Sequence, residues 1–195
     1  MSYEIQTFDL KHIPLVVDVV LPLWSPPYED EDFRRFYVEH IIRSNYFDNS
    51  FNFQLMENNC FSSMAFFARR DDFCNVEEWF SVESKKFSQK LVASAQRGKK
   101  YIELMDEKTR ALMNKDDIQL TLYVSRKRGS GSRLLDEVSK RLFNQGYKNL
   151  YLWTDCECNW QWYINHGYDL ISKEAYEPFS KAEDYMTYIF RKKLY

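Results

Sequence analysis

The sequence predicts a single α/β domain whose sheet combines antiparallel strands with one parallel pair. Its length of 195 residues suits one domain of about 100–200 residues. Residues 118–154 follow a pattern of strand, glycine loop, helix and strand, which predicts a right-handed crossover between parallel strands. Residues 51–68 and 168–191 contain pairs of strand-like segments, which predict antiparallel pairing. We therefore expect a mixed, mostly antiparallel sheet flanked by helices.

The first third of the chain alternates between the two periodicities. Residues 3–8 alternate like a strand, and apolar residues from Leu15 to Leu23 then recur at helical spacing until Pro26 and Pro27 end the pattern. An acidic run at 29–32 favours the start of a second amphipathic helix, which should end near Asn45. Residues 51–55 and 61–68 then predict a hairpin with its turn at 57–59.

The middle and the end of the chain supply the remaining elements. Residues 75–115 are helical in pattern, with a break expected near Gly98, and we interpret them as a helical insertion within the single domain 1–195. Next come a strand at 118–124, a helix ending near Gly146 and a strand at 150–154. A short helix at 160–166 and a closing antiparallel pair, 168–175 with 185–191, complete the domain. The closing strand 185–191 either ends the sheet or pairs with a second subunit, so a monomer and a homodimer both stay open.

Composition excludes several classes of protein. With 45% hydrophobic and 17% aromatic residues, the chain has enough apolar surface to offset the entropy of ordering it, which excludes disorder as the main theme. A formal net charge of -2 and a pI near 6.0 argue against a dedicated nucleic-acid binder. No apolar run reaches the roughly 18–20 residues of a membrane span, and the first residues lack a signal-peptide pattern. We expect a cytoplasmic protein with no membrane partner and free thiols.

The most informative segment is the glycine loop between the strand at 118–124 and the following helix. A loop in this position directs free backbone N–H groups and the positive end of the helix dipole at one point, which favours binding of an anion such as phosphate. Gly129 and Gly131 allow close backbone approach, and Arg126, Lys127 and Arg128 add positive charge. The alternative is a solvated basic turn. A nucleotide-triphosphate loop is excluded because the Gly-Lys-Ser/Thr motif is missing, and a dinucleotide site is a weaker alternative because Leu134 replaces the third glycine.

Two motifs in this region resemble those of the GCN5-related N-acetyltransferases, the GNAT superfamily. The run from Arg126 to Gly131 is similar to the family signature Arg/Gln-x-x-Gly-x-Gly/Ala. Asn159, Tyr163 and the pair Gly167-Tyr168 resemble a second signature of Asn, a Tyr four residues later and a Gly-Phe/Tyr that opens the next strand. The close match covers about 118–170, and the outer elements follow the family's order. The resemblance implies a GNAT-like fold in which the parallel pair splays apart.

The resemblance also implies a function, namely transfer of an acetyl group from acetyl-CoA to an amine by direct attack. Tyr163 would be the general acid for the departing thiolate, and Asn159 would help to hold the cofactor arm. The cosubstrate would contact the following residues: Leu122, Tyr123, Val124, Arg126, Lys127, Arg128, Gly129, Ser130, Gly131, Ser132 and Asn159. An acceptor ammonium must lose a proton before it attacks. We expect Glu157 to be the base, with Asp155 as the other candidate at the end of that strand.

Other site hypotheses have less support. Cys156 and Cys158 form a C-x-C motif, but no further cysteine or histidine pair is placed to complete four ligands, so we expect no metal. A catalytically silent CoA-binding or interaction module on the same fold is the alternative to an enzyme. A small nucleic-acid binder using the basic loop is a third hypothesis, against which the overall acidity counts. The expected partners are therefore acetyl-CoA and an amine acceptor that the sequence does not identify.

Overall fold

A computed structural model describes residues 2–49, 51–181 and 183–195. The strands are β1 Tyr3–Thr7, β2 Asn52–Glu57, β3 Cys60–Arg69, β4 Asp117–Ser125, β5 Asn149–Asp155, β6 Asp169–Ala175 and β7 Met186–Lys193. The α-helices are α1 Ile13–Trp24, α2 Glu31–Ser44, α3 Glu77–Glu83, α4 Gln89–Ala111, α5 Ser130–Asn144 and α6 Gln161–Asn165. The predicted order of elements is confirmed, with boundaries shifted by a few residues.

The strands form one mixed sheet in the order β1-β2-β3-β4-β5-β7-β6. Only β4 and β5 pair in parallel, and every other neighbouring pair of described strands is antiparallel. The mixed, mostly antiparallel fold class is thus confirmed. The expectation that the closing strand ends the sheet or meets a second subunit is wrong, because β7 lies between β5 and β6 and has both edges paired. The strand at that edge of the sheet is β6.

Helices cover the two faces of the sheet. On one face, α5 buries Leu134, Leu135, Val138 and Leu142 against residues of β2 to β5 and β7. On the other face, α1 and α2 pack on β3 and on the far half of β4, while α4 packs on β5 through Tyr101 and Met105. The alternating apolar residues of the strands and the helical apolar stripes therefore face each other, as the two periodicities require.

Local sequence explains several turns and helix ends. Asn58 and Asn59 adopt positive φ values of 49° and 64° in the two-residue turn between β2 and β3, where asparagine tolerates the left-handed region. The side chain of Asp30 accepts a hydrogen bond from the N–H of Phe33 at 2.9 Å and so caps α2. The acidic run therefore begins a helix, as predicted.

The helical insertion differs from the prediction in one respect. The expected break near Gly98 is wrong, because α4 continues through it without interruption; the chain instead turns at Ser84–Lys86. Gly98 has a packing role, since a Cβ at this position would lie only 2.6 Å from the hydroxyl oxygen of Tyr37 on α2. The glycine lets α2 and α4 approach closely. This packing stabilises α4 at a position where the low helix propensity of glycine would otherwise weaken it.

Candidate active site

The parallel strands β4 and β5 diverge along their length. They pair only at their first residues, Asp117 to Gln119 with Asn149 to Tyr151. Beyond Gln119, β4 continues to pair with β3, but the register shifts by one residue: Leu120 is opposite Phe67, and Leu122 is opposite Phe66. Thr121 is therefore the extra residue of a β-bulge, and bulges bend a strand and change the face on which its side chains lie. The splayed pair that the sequence predicts is present.

The bulge separates the three strand residues predicted to contact the cosubstrate. Leu122 and Val124 pack on the face covered by α1 and α2, whereas Tyr123 packs on the face covered by α5. Tyr123 lies 6.1 Å, between ring centroids, from Trp162 on α6. The end of β4 and the helix after β5 thus meet through two aromatic rings on the α5 side of the splay.

The glycine loop forms the predicted connection between β4 and α5. Gly129 has a φ of +83°, in the left-handed region that favours glycine, and Ser130 begins the helix. The N–H of Arg126 donates to the carbonyl of Ser62 at 2.9 Å, which ties the loop to β3. Within the described chain, the N–H groups of Gly131 and Ser132 have no acceptor. Two free N–H groups at the start of a fifteen-residue helix can bind an anion.

Gly131 has a second role that sequence reasoning missed. A Cβ at this position would overlap the hydroxyl of Tyr123 and would lie 2.9 Å from the Cβ of Ser125. The Tyr123 side chain therefore extends to the first turn of α5 and needs a residue without a side chain there. The alternation of β4 placed Tyr123 on a strand, but only the bulge directs it toward this helix.

The basic residues of the loop and of the first turn of α5 divide into two groups. Lys127 and Arg133 form ion pairs with Glu57 at 2.6 and 3.2 Å, and these contacts hold the pKa of Glu57 below its usual value, mainly through the hydrogen bond from Lys127. Arg126 and Arg128 form no ion pair with any residue that the structure describes. Two of the loop cations are thus available to a ligand, and Glu57 competes for the others.

Tyr163 and Asn159 lie on the segment that follows β5. The Tyr163 ring packs against Tyr168 and Phe190 at centroid distances of 5.3 and 5.6 Å. Burial raises the pKa of Tyr163 above its ordinary value, with a smaller contribution from neighbouring Tyr168, so the hydroxyl stays protonated at neutral pH. Asn159 is exposed, and its backbone carbonyl accepts a bond from Trp162 at 3.2 Å. The Tyr163 ring therefore packs against the core on the face of the sheet that α5 covers.

Two carboxylates lie at the end of β5, on the face covered by α4. The strand ends at Asp155, whose Oδ2 accepts a bond from the Tyr101 hydroxyl at 3.4 Å and whose Oδ1 accepts one from the N–H of Glu157 at 3.1 Å. The negative charges of both carboxylates contribute to raising the pKa of Tyr185, after its burial. Tyr101 belongs to α4, so the insertion directly contacts Asp155, the alternative candidate for the base. The sequence could not show this contact.

The remaining sequence hypotheses are weaker in the structure. All four cysteines are free thiols. Among the described ranges 2–49, 51–181 and 183–195, no group of three or more His, Cys, Asp or Glu side chains is arranged to hold a metal ion. In that same part of the chain, none of the helices has both the length and the apolar character needed to cross a bilayer.

Comparisons with known proteins identify the fold. No family model matches the sequence, and no curated protein matches it. Among solved structures, a ribosomal-protein alanine N-acetyltransferase from Escherichia coli is 12% identical with a TM-score of 0.58, covering 99% of this chain and 94% of that one. A Drosophila melanogaster polyamine N-acetyltransferase is 14% identical with a TM-score of 0.51, covering 99% and 100%. The C-terminal condensation domain of Ebony, in complex with beta-alanyl-dopamine, is 9% identical with a TM-score of 0.61 over the full length of both chains. The chain has the fold of the GNAT-type N-acetyltransferases.

Proposed function

We propose that this protein is an N-acetyltransferase that transfers an acetyl group from acetyl-CoA to an amine of an acceptor that is not yet identified. The observation that carries the proposal is the divergence of β4 and β5 beside a helix start with two free N–H groups. The arm of acetyl-CoA that carries the thioester needs a strand edge whose backbone groups are unpaired. Its pyrophosphate needs free N–H groups and cations. The structural neighbours, several of which are N-acetyltransferases of amines, support the same reaction class.

The residues of the glycine loop fit the phosphates of this cosubstrate. The N–H groups of Gly131 and Ser132 would bind phosphate oxygens, and Arg126 and Arg128 would neutralise their charge. Gly129 provides the left-handed turn, and Ser130 holds the loop through its hydroxyl bond to the Lys127 carbonyl at 2.8 Å. The edge of β4 at Leu122 to Val124 would pair with the arm, as the sequence resemblance implies.

The reaction balances as a single transfer. The amine nitrogen attacks the thioester carbonyl, a C–N bond forms, and the C–S bond breaks. Tyr163, whose hydroxyl is protonated at neutral pH, would donate a proton to the departing thiolate and regain one from solvent. A carboxylate at the end of β5 would accept the proton that the ammonium loses. We retain Glu157 for this role, with Asp155 as the alternative because Tyr101 holds it in place.

The first experiment measures thermal stability with and without excess acetyl-CoA. Ligand at ~100 times its dissociation constant stabilises a protein by about 2.7 kcal/mol, which is easily measured. A shift that is lost when Gly131 is replaced by Trp would support binding at the loop, provided that circular dichroism shows this variant to be folded. No shift in the folded parent would refute the proposal.

The second experiment separates an enzyme from a silent CoA-binding module. Release of free thiol is measured with a panel of amines for the parent and for Tyr163→Phe, which keeps the packed ring. A general acid contributes about 10²–10⁴-fold to rate, so we expect kcat to fall by that order while acetyl-CoA still stabilises the variant. Binding without turnover in the parent would favour the silent module instead.

A further inference from the structure

The Asp155 carboxylate at the end of β5 has hydrogen-bond donors but no cationic partner. Its Oδ2 accepts the bond from the Tyr101 hydroxyl at 3.4 Å, and its Oδ1 accepts the bond from the N–H of Glu157 at 3.1 Å. Across the described residues, no lysine, arginine or histidine forms an ion pair with this carboxylate. Asp155 is half-buried, and a charge that is partly removed from water interacts more strongly with an opposite charge. The carboxylate therefore favours a cationic ligand from outside the chain.

Tyr101 is held in a cluster of aromatic side chains. It is buried, and its ring lies 5.4, 4.7, 5.0 and 5.9 Å, between centroids, from the rings of Trp153, Tyr176, Phe179 and Tyr185. Close packing of this kind holds a side chain in one rotamer. An ionised carboxylate only accepts hydrogen bonds, so the Tyr101 hydroxyl is the donor to Asp155. The cluster thus fixes the direction from which one oxygen of Asp155 is held.

Asp155 also borders the gap between the diverging strands. Tyr151 is the last residue of β5 that pairs with β4, so in the described chain the edge of β5 from Leu152 to Asp155 has no strand partner on that side. On its other edge, β5 pairs with β7 as far as Asp155, which fixes the strand to its end. Asp155 lies on the face of the sheet covered by α4, whereas Tyr163 packs on the face covered by α5. A ligand bound at Asp155 therefore approaches the gap from the face opposite to Tyr163.

We propose that Tyr101 is a positioning residue whose hydroxyl holds Asp155 in the orientation that binds the ammonium group of the acceptor. This inference rests on the proposed acetyl transfer, and it gives the helical insertion a part in that reaction. The charge of Asp155 contributes, after burial, to raising the pKa of Tyr185, so this partly buried ring lies near the carboxylate. Aromatic faces attract ammonium groups, which adds to the preference for a cation at this position.

The two carboxylates at the end of β5 then have separate tasks. Asp155 binds the ammonium group, and Glu157, which is exposed, accepts the proton that the ammonium must lose. The neutral amine nitrogen then forms the C–N bond with the acetyl group, and Asp155 takes no proton in this step. Loss of the Tyr101 hydroxyl should therefore weaken binding of the acceptor and leave binding of the cosubstrate unchanged.

The first test measures thiol release from acetyl-CoA with phenethylamine, putrescine and glycinamide as separate acceptors. Tyr101→Phe keeps the packed ring and removes only the hydroxyl. We expect the acceptor KM to rise about 5–10-fold in this variant, while kcat and the KM of acetyl-CoA change by less than about twofold. An unchanged acceptor KM, or a loss confined to kcat, would overturn the inference and leave the proposed acetyl transfer standing. If none of the three amines is acetylated, the second test decides.

The second test needs no turnover, so it separates this inference from the proposed reaction. Protein labelled with ¹³C at its aspartate carboxyl carbons is titrated with each of the three amines, and the spectrum of Asp155→Asn assigns the Asp155 signal. We expect at least one amine to shift that signal, and we expect Tyr101→Phe to need about 5–10-fold more of it. The alcohol 2-phenylethanol, which lacks the ammonium group of phenethylamine, should cause no shift. No shift with any of the three amines would overturn the inference, whereas a shift without thiol release would support the ammonium site and contradict the acetyl transfer.

Tyr176→Phe is the matched control. It makes the same change in the same cluster, with ring centroids 4.7 Å from those of Tyr101, and in the described chain the Tyr176 hydroxyl donates no bond to Asp155. It should leave the acceptor KM unchanged, and an equal rise in both variants would refute positioning through Asp155. If circular dichroism shows that Tyr101→Phe does not fold, Asp155→Asn decides, because its amide oxygen still accepts the Tyr101 bond. That variant should raise the acceptor KM about tenfold or more, and an unchanged KM would overturn the inference.

Discussion

His40 makes the packing of the helical insertion sensitive to acid. It is buried on α2, stacked with Phe36 and Trp79 at centroid distances of 6.4 Å, and 4.7 Å from the ring of Phe80. Its Nε2 has no partner within the described chain. Burial, together with a smaller contribution from the positive charge of Lys99, lowers the pKa of His40 to about 4. A protonated imidazole is therefore much less favourable in the folded protein than in the unfolded chain.

The sign and size of the effect follow from proton linkage. The unfolded chain takes up a proton at His40 near pH 6.5, whereas the folded protein does so near pH 4. The contribution of neutral His40 to the free energy of unfolding is therefore fully present above pH 6.5 and is lost as the pH falls toward 4. At pH 5 the loss is about 2 kcal/mol, and it approaches about 3 kcal/mol below pH 4. For a domain of this size, 2 kcal/mol lowers Tm by roughly 4–8 °C.

The assay compares urea unfolding of the parent and His40→Phe between pH 4 and pH 7.5. Every other titrating group is common to both proteins, so the difference between their stability curves isolates His40. We expect the free energy of unfolding of the parent to decline more steeply than that of the variant by about 2 kcal/mol between pH 7 and pH 5. Parallel curves would refute the argument that the buried imidazole resists protonation.

Three further predictions concern the candidate active site. Gly131→Ala should lower the free energy of unfolding by about 1–3 kcal/mol because the new Cβ overlaps the Tyr123 side chain. Adding Tyr123→Leu should recover part of that loss in urea unfolding. If the effects of the two substitutions are additive, this packing is contradicted. Glu57→Gln releases Lys127 of the loop and Arg133 of α5, and it should lower the Kd of acetyl-CoA about 2–5-fold at low salt. An unchanged Kd by calorimetry would show that these two cations do not reach the ligand. The variants Asp155→Asn and Glu157→Gln test which carboxylate is the general base. Replacing the base should lower kcat/KM about 10²-fold and remove the acidic limb of its pH profile. If both variants keep that limb, neither carboxylate is the base.

The local pattern of residues was enough to predict most of the fold. Strand alternation at 118–124, the glycine loop and the apolar stripe from Leu134 predict a parallel crossover, because periodicity and turn chemistry act over a few residues. The expectation for the closing strand failed since pairing order is a property of distant segments. The position of β7 between β5 and β6 depends on contacts more than thirty residues apart along the chain.

The sequence by itself determined the elements, the loop and the motif residues, whereas the tertiary structure decided how their side chains meet. The bulge at Thr121 turns Tyr123 toward α5, and no periodicity in β4 records that turn because it arises from a register shift against β3. Gly98 looked like a helix breaker, yet it lies within α4 because Tyr37 packs against it. The contact of Tyr101 with Asp155 joins residues on separate elements, and such contacts form only when hydrophobic burial brings the helices onto the sheet.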